Sequence, residues 1–424
     1  MKNMYYDFLQ SHMGIKPDVA SFVAETEVGL APLFAVADEV AAFNQLKVLH
    51  AMQKARLSDT HFNDSTGYGY NDEGREVLEA VFANIFQAEA ALVRPQLISG
   101  THALAAALFG NLRPGDTLFS PVGKPYDTLE AVIGIRPASG SLAEYGISYR
   151  QTELTEDGDF DYDAIIAALA DKPKMATIQR SKGYSWRKSF TPHEISQLIK
   201  CIRNHSPQTI ILVDNCYGEF VATEEPIEAD ILAGSLIKNP GGGIAPGGGY
   251  VVGKQKYVEA AAERLTAPGL GSAVGPTLGM SRTLIQGLFL APQTVCAAVK
   301  GAILAAAVFQ KAGFDVTPSP ATTRSDIVQA IKLSTPENVL AFCRGIQKAA
   351  PVDAFVTPEP APMPGYAHGV IMAGGTFVQG SSIELSADAP MREPYIVYFQ
   401  GGLTEAHSRA GVVFALNELK TLTF

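Results

Sequence analysis

Ala233-Gly-Ser-Leu-Ile-Lys238-Asn-Pro-Gly-Gly-Gly243 carries an apolar run into a lysine and then into a string of glycines. The run reads as a buried strand over 231–235, and Asn-Pro-Gly after the lysine reads as a turn. An imine-forming amine needs such a setting: a strand end that fixes it, an exposed loop wide enough for a bulky ring, and partial desolvation that lowers the ammonium pKa. Lysines also precede glycines without doing chemistry, so the reading depends on what accompanies Lys238.

Outward from this stretch, short β-rich runs alternate with helical ones. Strands are predicted at 91–96, 117–120, 147–151, 175–179, 209–214, 231–235 and 250–253. Several are apolar throughout, as strands covered on both faces are. Helices are predicted at 101–111, 161–170 and 191–204, the last opened by Thr191-Pro192-His193-Glu194, a capping box with proline at the first helical position. The alternation predicts an α/β fold with crossover helices and a large, mostly parallel sheet. An alanine-rich helix over 292–312 leads into a C-terminal third where strand and helix signals alternate again. The expected division is a mostly helical arm or part of the small domain at 1–50, a large domain at 51–291 and a small C-terminal α/β domain at 292–424.

The 424 residues contain 33 basic and 43 acidic side chains, a formal charge of −10 spread without blocks, so a nucleic-acid footprint or polybasic membrane patch is not expected. Cys201, Cys216, Cys296 and Cys343 form no C-x-x-C pair, which argues against a disulfide framework or structural zinc and for a reduced, cytoplasmic setting. No secretory signal is visible near Met1, and the longest apolar stretch, 301–310, is too short to span a bilayer. His50, His61, His193 and His205 show no ligand spacing with carboxylates or cysteines, so no metal site is expected.

Two further strand ends carry chemistry. Thr209-Ile-Ile-Leu-Val-Asp214 ends in a carboxylate at the crevice side of the sheet, suited to holding a protonated ring nitrogen; capping a turn would be the plainer role. Ser99-Gly100-Thr101-His102 follows a strand and opens a helix, so its backbone N–H groups and hydroxyls suit a phosphate. His102 would then stack on the ring, or else simply satisfy the helix start. Ser235 is a further phosphate donor. Glycine turn, aspartate and lysine, in that order at successive strand ends, together suit pyridoxal phosphate, whose ring stores the electron pair of a broken substrate bond.

At these residues the chain resembles the fold-type I pyridoxal phosphate enzymes of the cystathionine and methionine lyase branch. Gln179-Arg-Ser-Lys-Gly-Tyr-Ser-Trp-Arg187, Val213-Asp-Asn-Cys-Tyr-Gly-Glu-Phe220 and Glu384-Leu-Ser-Ala-Asp-Ala-Pro-Met-Arg-Glu-Pro-Tyr395 are similar to the methionine gamma-lyase-like family also called aluminium resistance protein. The resemblance covers essentially the whole chain. It implies a homotetramer of dimers with each site between two subunits, and Tyr70 and Arg75, in Gly67-Tyr-Gly-Tyr70-Asn-Asp-Glu-Gly-Arg75, reaching the partner's cofactor phosphate. It implies a small amino-acid substrate whose carboxylate is held by Arg392 or Arg180, with Ser181 near the ring hydroxyl or the carboxylate. Tyr126, in Gly123-Lys-Pro-Tyr126-Asp127-Thr128, loosely matches the tyrosine that stacks on the ring or assists the leaving group.

Two departures stand out: Ile237 replaces the usual hydroxyl residue before the lysine, and Asp127 lies near where dedicated methionine lyases carry a thiol. Gly248-Gly-Tyr-Val-Val-Gly253-Lys254 has phosphate-loop spacing, but Gln255 stands where magnesium needs a hydroxyl, so a nucleotide loop is set aside. The expected activity is elimination of a thiol from Cβ or Cγ. Replacement or transamination on the same scaffold, and a non-catalytic role in metal tolerance, are the alternatives.

Overall fold

The computed structural model describes residues 4–419. In chain order the helices are α1 (Met4–His12), α2 (Pro17–Val28), α3 (Ala31–Lys54), α4 (Glu73–Ile85), α5 (Gly100–Asn111), α6 (Asp127–Ile133), α7 (Tyr162–Leu169), α8 (Pro192–His205), α9 (Gln255–Leu265), α10 (Ser281–Lys311), α11 (Pro336–Lys348) and α12 (Glu405–Glu418). The strands are β1 (Ala90–Arg94), β2 (Thr117–Ser120), β3 (Ser148–Gln151), β4 (Met175–Gln179), β5 (Ile210–Asp214), β6 (Ile231–Ser235), β7 (Gly249–Gly253), β8 (Asp315–Thr317), β9 (Gln329–Lys332), β10 (Val370–Ala373), β11 (Ser386–Pro390) and β12 (Ile396–Gln400).

Strands β1 to β7 form one sheet in the order β1-β7-β6-β5-β4-β2-β3. Its pairs are parallel except those of β7, which runs antiparallel to both β1 and β6. Every residue of β4, β5 and β6 is buried, because each face has its own helical cover. Leu212 and Ile231 share a core with Ala103 and Leu104 of α5. Ile211 and Val213, pointing the opposite way, share another with Ile195 and Ile199 of α8. Helix α8 begins where its sequence says: the Glu194 amide donates to Thr191 Oγ1 at 3.1 Å and the Thr191 amide donates to Glu194 Oε2 at 2.8 Å.

Strands β8 to β12 make a second sheet, wholly antiparallel, in the order β10-β11-β12-β9-β8. Helix α10 joins the two regions and starts eleven residues before the helix expected at Pro292, which lies inside it. A proline at a first helical position and one within a helix look alike in sequence. Here the buried row Leu284, Leu288, Ala291 and Val295 runs straight past the proline, and packing keeps the helix continuous. Position 292, where the small domain was expected to begin, is thus within α10. The helix is long and apolar enough to cross a bilayer, but 78% of its apolar window is buried within the protein. Its Leu288, Val299 and Ile303 belong to one apolar cluster with Val213 of β5 and with Phe342 and Phe399 of the C-terminal sheet region.

Candidate active site

Strand register brings the predicted residues together. Asp214 stands opposite Gln179 of β4 and Ala233 of β6. Ser235 of β6 and Arg94 of β1 both pair with Gly249 of β7. The carboxyl ends of β1, β4, β5 and β6 therefore share one level, in the crevice where open α/β sheets hold ligands. Gly100 seats α5 against this crevice: a Cβ there would lie 3.1 Å from Cys216 Sγ and 3.3 Å from Ser235 Cβ, so its lack of a side chain lets the helix start approach both loops.

A small cavity in the crevice is lined by Lys238, Asp214, Cys216, Tyr217, Ser181 and Tyr126, among others. The Lys238 ammonium rests 4.1 Å from the centroid of the Tyr217 ring. Asn239 Nδ2 donates to the carbonyls of Tyr217 at 3.0 Å and Glu219 at 2.9 Å, which ties the lysine turn to the turn after β5. The lysine loop is not the exposed loop the sequence suggested. Asn239 to Gly243 are buried, and a Cβ on Gly242 would come within 2.2 Å of the Gly287 carbonyl. The glycines serve close packing rather than openness, Gly242 against α10 and Gly243 against Leu403.

Burial alone would lower the Lys238 ammonium, but Cys216, Tyr217, Asp214 and Glu219 outweigh it and hold the group above its ordinary range. The lowered pKa expected from the strand-end setting is thereby corrected, since the turn after β5 brings acidic groups that desolvation must compete with. Burial pushes the Cys216 thiol well up, Tyr217 to about 12 and Glu219 to about 8. All three keep their protons at neutral pH. Burial raises the Asp214 carboxyl in turn, opposed by Lys238 and by the Cys216 amide, which donates to Oδ1 at 3.1 Å.

Pyridoxal phosphate, the cofactor that the resemblance implies, fits these residues. Lys238 and Asp214 line the same cavity, and Ser235 Oγ is buried with no partner among the described residues. Helix α5 begins beside it, and its first-turn amides at Gly100 and Thr101 have no carbonyl one turn back to bond. The hydroxyls there are partly engaged: Ser99 Oγ accepts from the His102 amide at 3.1 Å, and Thr101 Oγ1 lies 2.7 Å from Thr128 Oγ1. His102, expected to stack on the ring, is not among the residues lining this cavity. Its Nδ1 accepts from the Ile98 amide at 3.3 Å, so it closes the helix start, and the aromatic face beneath the lysine belongs to Tyr217.

Tyr126 reaches the cavity with its hydroxyl 2.7 Å from that of Tyr366, and burial followed by Tyr366 and Tyr217 holds its phenol neutral. Ser181 donates to Asp326 Oδ2 at 2.6 Å. Arg180 is displaced from the substrate role: it points away from Gln179 and Ser181, fully buried, and its Nη1 donates to Glu225 at 2.9 Å and Asn215 at 2.8 Å. Strand alternation explains this, since the residue between two cavity-facing neighbours must face the other side. Arg75 is likewise turned inward, donating to the Gly69 carbonyl at 2.6 Å and the Gly275 carbonyl at 3.1 Å, so it braces the loop instead of reaching outward. Tyr70 is 59% exposed and stacks on Tyr68 away from this chain's cavity. Arg392 is half-buried and donates to the Tyr184 carbonyl at 3.2 Å; it lines a neighbouring pocket with Tyr184, Trp186 and Tyr398.

Residue reading missed several participants. Tyr217 was inside a quoted motif, yet only its left-handed backbone, φ +73°, turns the ring under Lys238. Arg187, half-buried and donating to the carbonyls of Gln179 at 3.0 Å and Ser181 at 2.7 Å, fixes the end of β4. Asp388 on β11 is pushed up to about 6, by burial against Tyr184, Gln400 and Lys238. Asp326 and Tyr366 come from the C-terminal region and carried no local signal.

The chain matches the family described as methionine gamma-lyase over residues 19–420. It is 49% identical over 399 residues to the uncharacterized protein YnbB of Bacillus subtilis (strain 168), covering 93% of this chain and 95% of that protein. A solved carbon-sulfur lyase involved in aluminum resistance from Clostridium novyi NT is 48% identical, with a TM-score of 0.94 over 98% of this chain and 99% of its own. A Clostridium acetobutylicum structure, provisionally called a cystathionine beta-lyase involved in aluminum resistance, is 48% identical with a TM-score of 0.95 over 99% of both chains. With the fold, the lysine and the aspartate in register, the chain belongs to the methionine gamma-lyase family, pyridoxal phosphate-dependent lyases of fold type I.

Proposed function

We propose that this protein breaks a carbon–sulfur bond in a sulfur-containing amino acid of the cystathionine or methionine type, releasing a thiol, a 2-oxo acid and ammonia. The observation that carries the reading is the meeting of Lys238 and Asp214 in one buried cavity, beside a Ser235 hydroxyl with no partner of its own among the described residues. Lys238 would hold the cofactor's aldehyde carbon, Asp214 its ring nitrogen, and Ser235 with the start of α5 its phosphate. When bound, the cofactor supplies the electron sink.

The chain's own groups supply positioning and proton transfer. Lys238 Nζ takes the Cα proton from the substrate. Tyr126, kept neutral by burial, is a hydrogen-bond donor for the departing sulfur. Arg392 is the candidate for the substrate carboxylate; it lines a pocket with Tyr184, whose ring centroid lies 5.4 Å from that of Tyr126. Loss of the thiol leaves an unsaturated amine, and water hydrolyses it to the 2-oxo acid and ammonia. A bond broken at Cβ gives pyruvate and one at Cγ gives 2-oxobutyrate.

Addition of pyridoxal phosphate to purified protein should produce a visible absorption band that Lys238→Ala abolishes, with turnover falling at least roughly a hundredfold. Each turnover of cystathionine should yield equal amounts of thiol, 2-oxo acid and ammonia. A colourless protein that ignores the cofactor would overturn the reading. Thiol exchange without ammonia would move it to replacement chemistry, and amino transfer without thiol to transamination. In the same reading the protein works in the cytoplasm as a homotetramer, with the exposed Tyr70 contributed to the partner's site; light scattering of the purified protein tests the assembly.

A further inference from the structure

The Tyr217 ring stands directly against the reactive amine. It contributes to the cavity wall, its face lies 4.1 Å from Lys238 Nζ, and its backbone is held at φ +73°, a conformation a bulky side chain adopts only when its surroundings impose it. What imposes it is visible. Asn239, the residue after the lysine, grips the Tyr217 carbonyl at 3.0 Å, so the lysine turn itself fixes the ring that its amine sits on. The negative face of an aromatic ring attracts an ammonium, more strongly where water is excluded.

We propose that Tyr217 is a positioning residue for Lys238, its ring acting as a seat for the protonated amine in the cofactor-free protein and, in the reaction, once the lysine has taken up the Cα proton. A lysine that must let go of one partner, carry a proton and return needs a defined resting place, or its flexible four-carbon stem scatters the amine over many rotamers. The ring supplies that place without a hydrogen-bond acceptor that would compete for the proton. This inference rests on Lys238 being the cofactor lysine. Its electrostatic half, the ring favouring the ammonium, is a property of the protein alone. The other groups facing the amine are Asp214 on β5, Cys216 and Glu219 on the following turn, Asp388 on β11 and Tyr366 before β10.

The test reads the amine rather than turnover. In the full chain before cofactor is added, labelling of Lys238 by an amine-selective acylating reagent is followed against pH by peptide mass spectrometry. Removing a ring that favours the ammonium makes the amine lose its proton more easily. Tyr217→Leu should therefore move the labelling midpoint down by about one pH unit, while Tyr217→Phe, which keeps the ring, should hold it within about 0.3 unit. Tyr217→Asn is the second variant, because asparagine accepts the left-handed backbone and folds even where leucine does not; it should shift the midpoint as leucine does. In the loaded enzyme, kcat should fall about tenfold for Leu and Asn with KM within about twofold, and Phe should restore it. Midpoints that stay in place for both Leu and Asn, or that move as far for Phe as for Leu, overturn the proposal. A shifted midpoint in a protein that never takes up cofactor would keep the seat and sink only the lyase reading.

Discussion

At the scale of single residues, the side chains that sequence reading ranks alike are separated by what they face. Arg180 and Ser181 are neighbours at the end of β4, yet one is locked to Glu225 and the other borders the cavity. Arg180→Met takes the buried Glu225 carboxylate's ion-pair partner away and leaves it only the Asn215 and Phe220 amide donors, so it should cost on the order of 3–5 kcal/mol in denaturant unfolding. In the protein that remains folded, KM should stay within about threefold; a large rise in KM would return Arg180 to the substrate. Glu219 offers a different check. Burial pushes its carboxyl up from 4.5 to about 8, opposed by the hydrogen bond from Tyr250, which donates to Oε1 at 2.7 Å. A carboxyl whose folded pKa is raised binds its proton more tightly when folded, so its contribution is full below the unfolded value and is lost as pH rises toward the folded value. Glu219→Gln, which keeps an acceptor for Tyr250, should thus gain stability relative to the parent between those two values, by on the order of 1–3 kcal/mol, and level off above them. Urea titrations at the two ends of that window decide it; a flat difference would show that Glu219 is ionised when folded.

At the scale of elements, the lysine turn depends on α10 as much as on β6. Gly242 and Gly287 meet backbone to backbone, and a Cβ on Gly287 would sit 2.3 Å from the Gly241 carbonyl. Gly287→Ala should therefore destabilise by about 1–3 kcal/mol despite alanine's better helix propensity. Because the displaced atoms belong to the turn that carries Lys238, cofactor affinity should weaken along with the urea midpoint. Stabilisation by the substitution would mean that the helix and turn stand farther apart than the structure has them. The same contact explains why the glycine string reads ambiguously. Glycines that open a loop and glycines that let two backbones touch have identical sequences, and only the partner helix distinguishes them.

At the scale of the whole molecule, the two sheets share one apolar cluster through α10. They should unfold together: in urea, the far-ultraviolet circular dichroism and the fluorescence of Trp186, the chain's single tryptophan, should give coincident transitions. Two separated transitions would show that the C-terminal sheet region folds independently of the first. The shared cluster also places C-terminal groups in the site, since Asp326 accepts from Ser181, and Tyr366 meets Tyr126.

The sequence by itself determined the seven strands of the large sheet, the capped start of α8, and the aspartate and lysine at their strand ends, because each is written in local periodicity and turn chemistry. Only the tertiary structure decided that Arg180 and Arg75 turn inward, that His102 bonds the Ile98 amide at a helix start, and that Tyr217 lies beneath the amine. The physical reason is that those outcomes follow from burial, from charge partners distant in the chain and from a left-handed backbone at a non-glycine residue. None of these leaves a local pattern for a single sequence to display.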